Sequence, residues 1–362
     1  MKITHVLWSL QYGGAETMLV DIVNRQCLLH DIEIVLVNNV IDDDLLKMID
    51  SRIKITRINR PAQSKNPYYL LNLNLLILFS KADIIHFHQD NLIRYLPVRL
   101  LKHNLLLTVH CVRLDAEDVR KYNYIFAITD AVQEHVLQTT GRKATLVLNG
   151  IDVRKFNIQK REPDGIFKIV QIGRITHLHK GQHITLQALH NLITQYNYTN
   201  VHLDIIGEGD SETYLKKLTQ ELHIESFVTF LGNRTKEFVQ THLSSYDLLV
   251  QPSLWEGFGL TVIEAMSAMT PTLISNVDGM QTASGNGTFA YTFQSGNADD
   301  FAGKLNEIIY LPKAEKEALA EKAYDFVLKN FDISLTVDNY LNYYETFLFQ
   351  SNKKKSHEDS PT

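Results

Sequence analysis

Glu256 and Glu264 stand eight residues apart in the stretch 247–278, DLLVQPSLWEGFGLTVIEAMSAMTPTLISNVD. The apolar run Leu248–Gln251 reads as a buried strand, Pro252, Gly257 and Gly259 as its loop, Leu260–Ala268 as a helix, and the segment after Pro271 as the next strand. A loop leaving a parallel strand opens at the carboxyl edge of its sheet, where the following helix presents free N–H groups and a partial positive charge to an anion. Eight residues are about two helical turns, so one carboxylate meets a ligand at the mouth while the other reaches along it.

Other residues invite the same question. Gly13-Gly14 follows the strand Ile3–Ser9 and precedes a helix with Met18, Leu19, Ile22 and Val23 on one face. Paired glycines there admit a phosphate or sugar close to the backbone, or make a tight turn only. His110 closes the run LLLTVH and emerges at a carboxyl edge, where a neutral imidazole hydrogen-bonds hydroxyls and a cation holds phosphate. Arg174 and Lys180, after the strand Lys168–Ile172, suit a diphosphate, with solvated loop charges as the plain alternative. His86, His88 and Asp90 have clamp-like spacing, but Asn91 stands where a metallo-hydrolase motif needs another histidine, and no metal is expected. Asp42-Asp43-Asp44 reads as an acidic first helical turn rather than a metal-binding D-x-D.

These residues need strands to carry them. Further apolar runs at 33–37, 53–58, 83–87, 105–110, 124–129, 144–148, 201–209 and 228–232 alternate with helical patterns, as in doubly wound α/β domains with parallel sheets. A length of 362 residues with 44% hydrophobic content suits two domains. The expected boundaries are 1–160, 161–333, a last helix over 334–349, and a polar disordered tail over 350–362. Two isolated cysteines, Cys27 and Cys111, give neither a disulfide framework nor a zinc-site spacing and point to a reducing compartment. MKITHVLWSL lacks a cleavage site, and the longest apolar run, Tyr68 to Phe79, is too short to span a bilayer. A cytoplasmic location follows as an expectation. Residues 1–160 hold 20 Lys+Arg against 16 Asp+Glu, net +4, and the remainder 16 against 25, net −9, a bias too small for nucleic acid.

The spacing Glu256-x7-Glu264 within P-S-x-x-E-G-F-G-L resembles the signature of the family 4 retaining glycosyltransferases, as do Gly13-Gly14-Ala15-Glu16, Thr108-Val109-His110, Asn149-Gly150-Ile151-Asp152 with Phe156, and Gly173-Arg174 with Lys180-Gly181. The resemblance implies the GT-B architecture, two Rossmann-like domains facing across a cleft, with the last helix packing back on the first domain. It implies transfer of a hexose-type sugar from a nucleotide diphospho-sugar to a saccharide or lipid-linked acceptor with retention, as in bacterial surface-polysaccharide synthesis, without cofactor or metal. Arg174, Lys180 and amides near Gly13-Gly14 and Phe258-Gly259 would then hold the diphosphate, Glu256 and His110 the sugar, Glu264 the ribose, and turns such as Gly232 and the start of the helix at Leu260 the nucleotide. Thr261, Ala268-Met269 and Asp278-Gly279-Met280 depart from the usual pattern near the sugar pocket. A non-catalytic partner subunit would usually lose one of Arg174, Lys180, Glu256 or Glu264, and a nucleotide-sugar epimerase would lack the paired glutamates.

A helix through Leu92–His103 would gather Arg94, Arg99 and Lys102 on one side and Ile93, Leu96, Leu100 and Leu101 on the other, although Pro97 interrupts it. This basic amphipathic pattern suggests weak contact with an anionic membrane on its inner, cytoplasmic face.

Overall fold

The structure, a computed structural model, describes all residues except 12, 99–103, 112–113, 160–161, 163 and 359–362, and the backbone alone over 351–358. The chain forms two compact units, Met1–Gly150 with Ile333–Thr362, and Ile151–Asp332. In the first, strands and helices alternate as β1 (Lys2–Leu7), α1 (Gly14–Gln26), β2 (Asp31–Asn38), α2 (Asp43–Lys47), β3 (Lys54–Arg60) and α3 (Pro67–Leu78). They continue with β4 (Ile84–Phe87), β5 (Asn104–Val109), α4 (Ala116–Arg120), β6 (Tyr124–Ala127), α5 (Asp130–Thr140) and β7 (Thr145–Leu146).

The second unit runs β8 (Phe167–Ile172), α6 (His177–Lys180), α7 (Gln182–Gln195), β9 (Val201–Ile206), α8 (Glu212–Glu221), β10 (Val228–Gly232) and α9 (Lys236–His242). It closes with β11 (Leu248–Gln251), α10 (Leu260–Ser267), β12 (Thr272–Ser275), α11 (Asp278–Ser284), β13 (Tyr291–Phe293), α12 (Ala298–Tyr310) and α13 (Lys313–Asn330). A last helix, α14 (Ile333–Glu358), returns to the first unit.

Both sheets are parallel, ordered β3-β2-β1-β4-β5-β6-β7 and β10-β9-β8-β11-β12-β13. Strand order therefore reverses between β1 and β4 and again between β8 and β11. Loops diverging from such a reversal leave a crevice at the carboxyl edge, and the sequence puts its chemistry there. His5 lies opposite His86 across β1 and β4, while Arg174 and Lys180 follow β8 and Glu256 follows β11. The strands are nearly continuous apolar runs because helices cover both faces.

The α14 side chains Ile333, Val337, Tyr340, Tyr344 and Phe347 belong to the same buried cluster as Ile3, Leu19, Ile34 and Phe126. Two tyrosine hydroxyls key this helix to the strands. Tyr344 Oη lies 2.6 Å from His86 Nδ1, and Tyr340 Oη 3.0 Å from Thr108 Oγ1, which in turn is 2.8 Å from His86 Nε2.

Several expectations change. The first boundary falls at 150/151 rather than 160/161, because Ile151 donates its amide to Phe331 and Asn157 donates to Gln240, both in the second unit. Helix α14 continues past position 349 to Glu358, since the segment holds no helix breaker. The Leu92–His103 helix does not form as one element. A 3-10 turn over Asp90–Tyr95 stops at the extended Leu96 before Pro97, and Arg94 is paired with Asp115 and Asp118 at 2.7 Å, so it offers no free basic face. Arg99 and Lys102 lie outside the described residues. Asp42 caps α2, its carboxylate accepting from the amides of Asp44 and Leu45.

Replacing Tyr344 by Phe leaves a buried His86 nitrogen without a partner. The expected loss is about 1–3 kcal/mol of unfolding free energy, measured by denaturant titration, with the denaturant slope unchanged.

Candidate functional site

In the second unit, two loops meet at the strand reversal. Gln171, buried in β8, donates from Nε2 to the Lys180 carbonyl at 3.0 Å and accepts from Thr185 Oγ1 at 2.8 Å. Gln182 donates to the Arg174 carbonyl at 3.0 Å, and the Leu254 amide donates to the His179 carbonyl at 2.8 Å. Gly181 has φ +67, and a Cβ there would lie 2.0 Å from the Pro252 carbonyl oxygen, so glycine alone permits the close approach. On the other side, a Cβ at Gly279 would lie 2.1 Å from the Glu256 carbonyl oxygen. The loops are thereby pressed together by backbone contacts.

Their charged side chains meet. Lys180 Nζ forms an ion pair with Glu256 Oε2, both partly buried, and Glu256 also accepts from Ser253 Oγ at 3.3 Å and from the Gly257 amide at 3.2 Å. Arg174 projects from the same loop system with an exposed side chain. Helix α10 starts at Gly259 without a side-chain cap, which leaves its first amides for a ligand or water. Glu264, in the second turn of α10, is partly exposed. Phe258 is buried against Phe331, so only its backbone faces outward, and Leu260 is the first residue of α10. Gly232 ends β10 with φ +67 and accepts from the Gly207 amide. The Thr261 departure has a local reason: its hydroxyl donates to Gln251 Oε1 at 3.4 Å, and Gln251 Nε2 donates to Ser253 Oγ at 3.1 Å.

In the first unit, Gly13 precedes α1, also without a side-chain cap. Its backbone is extended, φ −167, which any residue adopts, and a Cβ there would meet only the end of the Glu16 side chain. Glycine at 13 therefore gives close access rather than a required turn, and Gly14 is the first helical residue. His110 follows β5, and both its ring nitrogens are buried without a hydrogen-bond partner among the described residues. Orphaned buried nitrogens carry a desolvation cost that a ligand hydroxyl would remove. Burial also pushes its pKa down to about 4, so near neutral pH it acts as an imidazole and not as the phosphate-holding cation that the sequence left open.

Behind His110 lies a histidine network that the sequence indicated only in part. His88 is stacked on His86 and on His110, with ring centroids 4.6 and 5.8 Å apart. His5 Nδ1 lies 3.0 Å from His88 Nε2, and His5 Nε2 lies 2.9 Å from Gln26 Oε1. With the amide oxygen facing it, His5 Nε2 carries the proton, Nδ1 accepts, and His88 donates from Nε2. The ring nitrogens of His5, His86 and His88 all come within 4.8 Å of one another, the arrangement a transition metal would need. Those of His5 and His86 are already engaged by Gln26, His88, Tyr344 and Thr108. Asp90 is not part of a clamp, since its carboxylate accepts the Asp115 amide at 2.7 Å. Sequence reasoning missed His5, Gln26, Gln171, Gln182 and Gln251. The available signal was a polar residue inside an apolar strand, as in THVL, KIVQI and LLVQ.

Residues 152–326, which lie within the second unit, match the family described as Glycosyl transferases group 1. Among curated proteins, an uncharacterized glycosyltransferase of Methanocaldococcus jannaschii is 29% identical over 171 residues, 43% of each chain. Protein CapJ of Staphylococcus aureus is 26% identical over 178 residues, 48% of this chain and 44% of CapJ. The matches thus span about half the length of these relatives. Among solved structures, HepE of Anabaena, in complex with UDP and glucose, superposes with a TM-score of 0.79 at 19% identity, covering 96% of this chain and 100% of HepE. The fold class is GT-B, built from two Rossmann-like units with parallel sheets.

Burial holds the four histidines of this network below their ordinary pKa, to about 4 for His5 and His110 and well below the usual value for His86 and His88. As pH falls from about 6.5 towards about 4, the unfolded chain takes up protons that the folded chain refuses. Stability is therefore greatest above this window and falls within it, each histidine contributing up to about 1.4 kcal/mol per pH unit. Urea unfolding at pH 7 and pH 5 should show a loss corresponding to two or more protons taken up on unfolding. An unfolding free energy independent of pH over this range would contradict the neutral network.

Proposed function

We propose that this protein transfers a glycosyl group from a nucleoside diphospho-sugar to a saccharide or lipid-linked acceptor, with retention of anomeric configuration. The observation that carries the reading is the juxtaposition of Lys180 and Glu256 beside the uncapped start of α10. A cation for a diphosphate and a carboxylate for hydroxyl groups stand side by side, within the segment matched by the glycosyltransferase family. UDP and glucose in the HepE complex are ligands of that kind.

In this reading, the diphosphate enters between Lys180 and the α10 amides, and Arg174 closes on it as a planar second donor. The bond from the anomeric carbon to the diphosphate oxygen breaks, and the oxygen develops negative charge. Lys180, Arg174 and the helix amides stabilise that charge electrostatically. The acceptor oxygen bonds to the anomeric carbon on the face the leaving group vacates, and its proton passes to the departing phosphate. No protein base and no metal is required for that step. Glu256, released from Lys180 by the phosphate, accepts from sugar hydroxyls, Glu264 accepts from the ribose, and neutral His110 hydrogen-bonds a sugar hydroxyl. The expected location is cytoplasmic.

The experiment is incubation with a panel of nucleotide sugars, following release of nucleoside diphosphate. Lys180→Ala and Arg174→Ala should each lower turnover on the order of 10²-fold; rates like wild type in either would remove the diphosphate assignment. Glu256→Gln keeps the shape and loses the charge, so transfer should fall while nucleoside diphosphate affinity, read from thermal stabilisation, stays within a few fold. Collapse of nucleotide binding in that variant would mean that the roles of Glu256 and Glu264 are exchanged.

A further inference from the structure

Helix α3 is unlike the other helices of the first unit. From Asn66 to Ser80 it carries no charged residue, and only Leu73 and Ile77 are buried. At about 100° per residue, Tyr68, Leu71, Leu75 and Phe79 fall within about 80° of one another on the side opposite that buried pair. They are 59, 54, 44 and 75% exposed. A soluble surface helix ordinarily puts charged or polar groups on that face, and a contiguous exposed apolar stripe marks a surface that is covered in use.

The surrounding charge says by what. Residues 51–82 contain six Lys or Arg and no Asp or Glu. Arg52 pairs with Asp50, Lys54 with Glu33, and Arg60 is bonded to Asn38 and Ser64, while Arg57, Lys65 and Lys81 are exposed. Lys65 and Lys81 bracket the helix at its two ends. An apolar stripe flanked by aromatic side chains and bracketed by lysines has the form of an interfacial helix, its apolar face among acyl chains and its cations at headgroup level. At 12 residues it is about 18 Å long, too short to cross a hydrocarbon core of about 30 Å, so it lies in the interface plane. None of the described helices is long and apolar enough to cross a membrane.

We propose that α3 is the surface by which the first unit docks on an anionic lipid bilayer, with Tyr68, Leu71, Leu75 and Phe79 entering the interface and Arg57, Lys65 and Lys81 facing the headgroups. This replaces the face sought at Arg94, whose guanidinium is held by two carboxylates. Attachment through four apolar side chains and three cations is reversible and weakens with salt.

Cosedimentation of the intact chain with vesicles of phosphatidylcholine and phosphatidylglycerol tests the proposal, and because it needs no turnover it stands or falls apart from the transfer reading. The wild type should partition onto the vesicles at low salt and lose several fold at high salt. Leu71→Glu with Leu75→Glu, at exposed positions, should lower the partition coefficient by about 10-fold or more, with a wild-type melting temperature. Lys65→Glu with Lys81→Glu should lower it several fold and flatten the salt dependence. Should the leucine pair fail to fold, Tyr68→Ser with Phe79→Ser carries the same expectation. A wild type that stays in the supernatant, or stripe variants that sediment as well as wild type, would overturn the proposal. So would a lipid-free dimer that the stripe variants convert to monomer, which would assign the face to a second copy of the chain.

Discussion

Buried polar groups must find partners, and at the carboxyl edges of both sheets that requirement decides where the functional loops go. A parallel strand covered on both faces has few ways to satisfy a glutamine or histidine near its end. Gln171 and Gln182 answer by gripping the carbonyls of Lys180 and Arg174, which fixes the paths of the residues that follow and precede them. In the first unit the same demand joins Gln26, His5 and His88 into one chain and His86 to Thr108 and Tyr344. Among the described residues, both nitrogens of His110 and Nε2 of Gln26 are buried without a partner.

The ion pair between Lys180 and Glu256 gives the second unit a resting state. Each group orients the other, and neither is fully exposed. A diphosphate competes for the lysine with at least as much negative charge as the carboxylate. In the proposed function its arrival frees Glu256 at the moment a sugar is present to use it.

The sequence exposed the architecture because apolar runs of five or six residues alternate with helical periods, and because a parallel sheet hides both faces of its strands. Leu248–Gln251 appears in the structure with the limits its pattern suggested. The residues proposed to touch a ligand through charge, Arg174, Lys180 and Glu256, were legible by type and spacing. The residues that hold them were not: a buried glutamine in KIVQI looks like any polar interruption until the carbonyl it grips is known. The Leu92–His103 pattern failed for a related reason. Periodicity counts side chains on a face but does not see that Pro97 forces Leu96 into the extended region, or that Asp115 and Asp118 lie within reach of Arg94.

The first unit is completed by a segment that lies 183 residues beyond its own last strand region, from Gly150 to Ile333. On a ribosome adding about 5–20 residues per second, the sheet of β1 to β7 waits on the order of 10–40 s for the side chains of α14. Until then His86 and Thr108 lack the hydroxyls of Tyr344 and Tyr340, and one face of the strands is open to water. The second unit, contiguous from Ile151 to Asp332, has all its strands before α14 emerges. Order of synthesis and order of completion are thus inverted in this chain, and the amino-terminal half is the part that a nascent-chain chaperone would have to guard.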